Sequence, residues 1–391
     1  MRGLALLSWR HMTHHRGRTA ILVLCLAIAL FVPSVTQVLM TRYDGDLRAR
    51  AEATPLLLGA KGNRFDLTLE ALYFRRGRLA PIPWAEFEAA RAMRRGLAVP
   101  LHVRFTARGH PVVGTTPEYH ELRGLRPARG VLPLQVGDVV LGSTVARELG
   151  LGPGDALFSD PTDLYDISKP PALKMYVCGV LARAGTPDDA AVFVDVKTAW
   201  VLEGLYHGHG EARTIAAENP ELVIGAAEDS VAFSGALIEY NEVTPETAAA
   251  FHFHGDPARL PLSSVLVWPD DAKARTLMKA RVNASAAYQM VAPAEVIDDL
   301  LAVVFRVKVL FDRFSIVLLA STTLLIGLVV LLTMRLRRRE MDTLDRIGCA
   351  PRAVAALYAL EIGGVVAASV LLAAGSTLLT LFLLPDLVRM F

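Results

Sequence analysis

Four histidines arranged as two His-x-His pairs are the residues of this chain best spaced for chemistry in an aqueous domain. They are His207 and His209 in Tyr206-His-Gly-His, and His252 and His254 in Phe251-His-Phe-His, the latter followed by Asp256. Alternate side chains of a strand share a face, so each pair could chelate one ion, and the two together could furnish a tetrahedral zinc set. Imidazole suits copper or nickel as well. The bland alternative is two independent polar loops whose histidines are solvated. Catalytic arrangements are weaker still, because no Gly-x-Ser-x-Gly elbow and no His-Glu-x-x-His helix organises the serines, aspartates and histidines. A non-catalytic chain is expected. Leu58-Gly-Ala-Lys-Gly-Asn63 brings Gly and Lys together without P-loop spacing and reads as a turn. No nucleotide site is visible in the chain.

A second constellation lies in Arg335-Leu-Arg-Arg-Arg-Glu-Met-Asp-Thr-Leu-Asp-Arg-Ile-Gly-Cys-Ala350, between two apolar stretches. A helix here lines Met341, Leu344 and Ile347 along one face, fit to enter a cleft on a separate cytoplasmic motor, while Asp342, Asp345 and Arg346 meet the rim. Gly348 ends such a helix and Pro351 opens the next. The plain alternative is a positively charged stop-transfer loop. Beyond it stands Glu361, an acid at the edge of an apolar span, where ionisable groups usually carry a role. No second ionisable residue in that span continues a proton path, so a structural pairing or a contact at the loop is the better reading. Arg352 is the nearest basic residue before it.

Positioning falls first to three uncharged segments, Thr19 to Met40, Phe314 to Met334 and Ile362 to Pro385. Each meets the roughly 20 residues a helix needs to cross a bilayer. The third is dense in small residues (Gly363, Gly364, Ala367, Ala368, Ser369, Ala373, Ala374, Gly375, Ser376), which let helices approach closely, so it is expected to pack on protein rather than lipid. Arginines at 2, 10, 16 and 18, and again at 335, 337, 338, 339, 346 and 352, mark cytoplasmic flanks. The expected layout is a cytoplasmic amphipathic lead-in helix (1–18), a span used as an uncleaved anchor (19–40), an outside region (41–313), a span (314–334), a cytoplasmic coupling loop (335–352), an approach segment with the third span (353–385), and a short outside tail (386–391).

With 391 residues, 53% hydrophobic composition and mean hydropathy +0.38, the chain fits a membrane protein carrying a large aqueous domain. A net charge of only +2 provides no general field for nucleic acid, which is not expected as a partner, whereas membrane lipid is. Cys25 and Cys349 fall in or beside the membrane, so Cys178 has no external disulfide mate. Arg42 to Thr54 and Pro293 to Phe311 read as helices continuing from the spans, forming a stalk. Between them Leu101-His-Val-Arg-Phe, Val139-Val-Leu, Met175-Tyr-Val, Ala191-Val-Phe-Val-Asp and Ser263-Ser-Val-Leu-Val-Trp read as strands, making the outside region α+β.

Several of these segments together resemble the MacB/FtsX-like permeases. Val112-Val-Gly-Thr-Thr-Pro-Glu-Tyr119, Gly130 and Val140-Leu-Gly-Ser-Thr-Val-Ala-Arg-Glu-Leu-Gly-Leu-Gly-Pro-Gly-Asp-Ala-Leu157 are similar to the family's periplasmic core domain. Arg338-Arg-Glu-Met-Asp-Thr-Leu-Asp-Arg-Ile-Gly-Cys-Ala-Pro-Arg352 with Leu360-Glu361 resembles its coupling segment and span-opening Glu, and Ser8-Trp-Arg10 with Arg18-Thr19 its lead-in helix. The resemblance implies an α+β membrane protein with a MacB-type periplasmic core on a helical stalk, in a bacterial inner membrane. It implies two copies, a homodimer, working with a cytoplasmic ABC ATPase that moves the periplasmic domain, with an outside or outer-membrane partner. Arg338, Arg339, Glu340, Met341, Leu344, Ile347 and Gly348 are then the ATPase-coupling residues. The family usually has four spans where this chain shows three. The runner-up is a signalling or scaffold protein that activates an envelope enzyme; a divalent-metal handling system, with the histidine pairs as its site, is a version of the first.

Overall fold

The computed structural model describes residues 2–75, 77–160, 172–208, 223–227, 230–233, 242–244, 251–253, 255–336 and 351–383. The chain divides into two units, Met1–Asp46 with Leu301–Phe391, and Leu47–Leu300. Along the chain, α1 (Arg2–His14) and α2 (Arg16–Glu52) precede β1 (Leu56–Ala60), α3 (Arg64–Tyr73), β2 (Ile82–Pro83), α4 (Trp84–Ala92), β3 (Gly96–Ala107), β4 (His110–Thr115), α5 (Pro117–Leu122), β5 (Pro127–Gly130), β6 (Asp138–Leu141), α6 (Ser143–Leu149) and β7 (Ala156–Phe158). There follow β8 (Lys174–Leu181), a 3₁₀ turn (Pro187–Ala190), β9 (Val192–Asp195), α7 (Val196–Leu202), β10 (Tyr206–Gly208), β11 (Val223–Ala227), β12 (Ser230–Phe233), β13 (Phe251–Phe253), β14 (Pro261–Leu262), β15 (Ser264–Pro269), α8 (Ala272–Asn283), β16 (Tyr288–Val291), α9 (Pro293–Leu336) and α10 (Pro351–Leu383).

In the Leu47–Leu300 unit the main sheet has the order β16-β1-β15-β3-β4-β9-β6-β8-β5, with β7 added on β8. Its pairs are antiparallel except β4 with β9 and β6 with β8. β3 joins the two halves because its twelve residues pair with β15 through their first part and with β4 through their second. The register to β4 shifts between Val103 and Phe105, which sets Arg104 at a bulge.

β1 is a correction to the sequence reading. Leu58 to Ala60, expected in a turn, belong to a wholly buried strand between β15 and β16. The reason is that the strand is covered on both faces: Leu57 packs with Leu67 and Ala71 of α3, while Leu56 and Leu58 pack with Phe87 of α4 and Met278 of α8. A strand buried on both sides reads as a continuous apolar run rather than an alternation. Only Lys61 to Asn63 turn, and Asn63 caps α3 by accepting from Phe65 N.

In the other unit three helices are long and apolar enough to cross a membrane, within Arg16–Glu52, Pro293–Leu328 and Arg352–Leu383. Along α10 the buried positions Val365, Ser369, Ala373 and Thr377 recur every fourth residue. The small side chain of Ser369 lets α10 approach α2, with its Oγ donating to Val365 O at 2.8 Å and lying 3.1 Å from Val23 O. By contrast, the apolar window of α9 has none of its residues buried.

Candidate functional sites

The end of α2 is locked into the Leu47–Leu300 unit by a buried polar cluster. Arg50 is only 6% exposed and donates through Nη1 and Nη2 to both carboxylate oxygens of Asp188, at 2.6 and 2.9 Å. Its Nε donates to Leu72 O, and Nη2 also reaches Tyr119 Oη at 3.0 Å. Tyr119 donates to Asp188 Oδ1 at 2.6 Å, and Thr186 to Oδ2 at 2.7 Å. Burial pushes the Asp188 carboxyl up, but the charge of Arg50 and the hydrogen bonds from Arg50, Tyr119 and Thr186 outweigh it and hold the group below the usual carboxylate range. The Tyr119 phenol is pushed up to about 12, mainly by burial, and therefore stays a donor.

Local sequence explains how these groups meet. Asp188 sits in a 3₁₀ turn opened by Pro187, and the turn lies against Gly142, where an added Cβ would come within 2.4 Å of both Asp188 O and Asp189 O. Gly142 is thus the residue that admits the turn. Around α2's last turn, Arg123 donates to Thr54 Oγ1 at 2.6 Å and stacks over Tyr119 and Trp268, while Trp268 Nε1 donates to Ala53 O. The last-turn carbonyls Ala49 O and Ala51 O accept from Ala53 N and Thr54 N, and the Trp268 indole satisfies the Ala53 carbonyl just beyond the helix. None of this was anticipated: Arg50 lay in the stretch Arg42 to Thr54, read only as a stalk helix, and Asp188 in a segment between strands.

A second cluster, in the unit that holds the long apolar helices, answers the question posed by Glu361. Its Oε1 accepts from Arg18 Nη2 at 2.9 Å and lies 3.1 Å from His11 Nδ1, so the partners come from α1 and the start of α2 and not from Arg352. Ion pairing with a residue more than 300 positions away has no local signature. The coupling residues Arg338, Arg339, Glu340, Met341, Leu344, Ile347 and Gly348 lie outside the described residues, as does the tail from 384.

The histidine pairs meet in part. β10 and β13 form an antiparallel ribbon in which Tyr206 is opposite Phe253, His207 opposite His252, and Gly208 opposite Phe251. The expected independent loops are therefore replaced, at these positions, by one ribbon. His207 and His252 are thus directly opposed in the backbone register. His209 and His254 lie outside the described residues, and among the described residues no group of three or more His, Cys, Asp or Glu is placed to hold a metal. The Cys178 thiol is not a nucleophile poised for chemistry, since burial pushes it up to about 11 and its Sγ donates to Val139 O.

On the edge of β3 a third group gathers. Fully buried His102 contacts Glu203 Oε2 through Nε2 at 3.0 Å, and Arg104, at the bulge, donates to Glu203 Oε1 at 3.0 Å. Burial pushes Glu203 up, but the His102 hydrogen bond and the charges of His102 and Arg104 hold it below its ordinary range.

No family model and no curated protein matches the sequence. Among solved structures, the periplasmic region of MacB from Actinobacillus actinomycetemcomitans is similar with a TM-score of 0.36 and 9% identity, covering 64% of this chain and 95% of its own. The extracellular domain of the noncanonic ABC-type transporter YknZ from Gram-positive bacteria is similar with a TM-score of 0.31 and 12% identity, covering 60% of this chain and 98% of its own.

Proposed function

We propose that this chain is a non-catalytic permease-type subunit of an ABC system in a bacterial inner membrane, with the Leu47–Leu300 unit outside. Two copies work with a separate cytoplasmic ATPase that binds ATP and Mg, and hydrolysis is converted into movement of the outside unit for export or handling of a substrate there. The observation that carries this reading is α2. One continuous helix contains the first apolar span, pairs with Glu361 through Arg18 near its start, and ends in the buried Arg50–Asp188 lock. A helix held at both ends by charged, directional contacts is suited to carry force and ill suited to act as a passive anchor. The sequence adds the apolar face of Met341, Leu344 and Ile347 between spans two and three, and the family resemblance of that segment. The test is Leu344→Asp, assayed by co-purification with the ATPase and by ATPase activity in liposomes. Loss of both with normal membrane insertion is expected, and unchanged binding and activity would sink the proposal.

A second reading, metal handling, is favoured by one observation, the register that sets His207 opposite His252. Two histidines at directly opposed register positions are half the residues of a four-histidine zinc set.

A further inference from the structure

A cavity of about 180 Å³ lies beside α3 and β3, lined by Glu70, Gly77, Leu79, Val103, Arg104 and Ser263 among others. It belongs to the Leu47–Leu300 unit, and nothing in the force-transmission reading uses it. Its polar groups are of opposite kinds and are held in place. Glu70 is 6% exposed, and its carboxylate rests against the backbone of Gly77, where an added Cβ would lie 1.7 Å from Oε2. Ser263, also 6% exposed, is pinned by Val103 N donating to its Oγ at 3.0 Å. Arg104 is oriented from the other side by Glu203, which in turn is fixed by His102. Leu79 and Val103 supply apolar wall.

Burial pushes the Glu70 carboxyl up to about 7, against the hydrogen bond from Ser263 and the charge of Arg104, while Asp66 raises it further. Near neutral pH the group therefore gives up its proton readily once a cation is presented to it. A bare cation would meet the guanidinium, and a bare anion the carboxylate. A ligand carrying both charges satisfies both walls. Size narrows the class further, because pockets for drug-sized ligands run about 300–1,000 Å³, so this one admits a molecule of only a few heavy atoms.

We propose that the cavity binds a small zwitterion of the amino-acid class, its ammonium on the Glu70 carboxylate and Ser263 hydroxyl and its carboxylate on the Arg104 guanidinium. The test is calorimetry of the full-length chain in detergent with glycine, alanine and serine, against methylamine and acetate as one-charge probes. Saturable binding of at least one zwitterion is expected, with both one-charge probes weaker. Glu70→Gln and Arg104→Gln should each weaken it by about 10- to 100-fold, the loss of one charge-assisted hydrogen bond. Gly77→Ala, which intrudes on the Glu70 carboxylate, should weaken it as well, and thermal melting of each variant confirms that it is folded. Absence of saturable heat for all three amino acids up to about 10 mM, methylamine binding as tightly as the zwitterions, or affinity unchanged in folded Glu70→Gln or Arg104→Gln would each overturn the proposal. None of these readouts involves the ATPase, so the outcome is separate from that of Leu344→Asp.

Discussion

The lock at the end of α2 makes a sharp quantitative demand. Asp188→Asn keeps the shape of the side chain but strips its charge, leaving the Arg50 guanidinium buried with only neutral acceptors: Leu72 O, Tyr119 Oη and the amide oxygen of the replacement. Arg50 and Asp188 are 6% and 1% exposed, so solvent screens neither of them much. Removing one partner of such a buried pair costs about 3–5 kcal/mol, most of it the penalty of the charge left behind. For a unit of this size about 1 kcal/mol shifts the melting point by roughly 2–4 °C, so a drop on the order of 6–20 °C is expected by tryptophan fluorescence of the full chain in detergent. Arg50→Met should fall in the same range, because it leaves Asp188 with only the Tyr119 and Thr186 hydroxyls. The double variant should be less damaging than the two losses added, with a coupling of about 1–3 kcal/mol. The folded-state pKa of Asp188 is depressed, so its contribution is present above the ordinary aspartate range and is lost as pH falls through and below it. Single losses under about 1 kcal/mol, or strict additivity in the double variant, would show that the pair is an ordinary surface contact and that α2 is not fixed there.

Three further outcomes are expected. Glu70 has a folded-state pKa of about 7 against an ordinary 4.5, so between those values the folded chain keeps a proton that the unfolded chain releases, and stability falls as pH rises through that window, by about 3 kcal/mol; Glu70→Gln should abolish this slope, and parallel melting curves for variant and wild type at pH 5 and pH 8 would count against it. Glu361→Gln removes the charge that Arg18 and His11 share, so hydrogen exchange in residues 2–14 should quicken by about tenfold or less while the membrane-inserted yield is unchanged; unaltered exchange means that α1 is held by other contacts. Zinc titration of the full chain should show binding that weakens below about pH 6.5 as imidazole protonates, and heat that survives replacement of His207, His209, His252 and His254 by Ala would remove the metal reading.

What was legible in the sequence was whatever repeats along the chain. Uncharged runs gave the apolar helices, and short β-branched runs located β3, β6, β8, β9 and β15; the density of small residues flagged α10 but not which of them, such as Ser369 and Ala373, are buried. Periodicity misled at β1, where burial on both faces erases the alternation that announces a strand and leaves Gly59 looking like part of a turn. It was silent on the polar clusters, for a reason that is physical rather than accidental. Arg50 meets Asp188 across 138 residues, and Glu361 meets Arg18 across 343, so each pairing is specified by topology and by no local pattern. An arginine in a helical stretch looks the same whether packing buries it or water surrounds it. Only the glycines hint otherwise: Gly142 and Gly77 each stand where a Cβ would strike the group that a cluster depends on, the Asp188 turn in one case and the Glu70 carboxylate in the other. These glycines mark where the backbone had to come close, and the groups brought close there are the charges on which both the α2 lock and the zwitterion cavity rest.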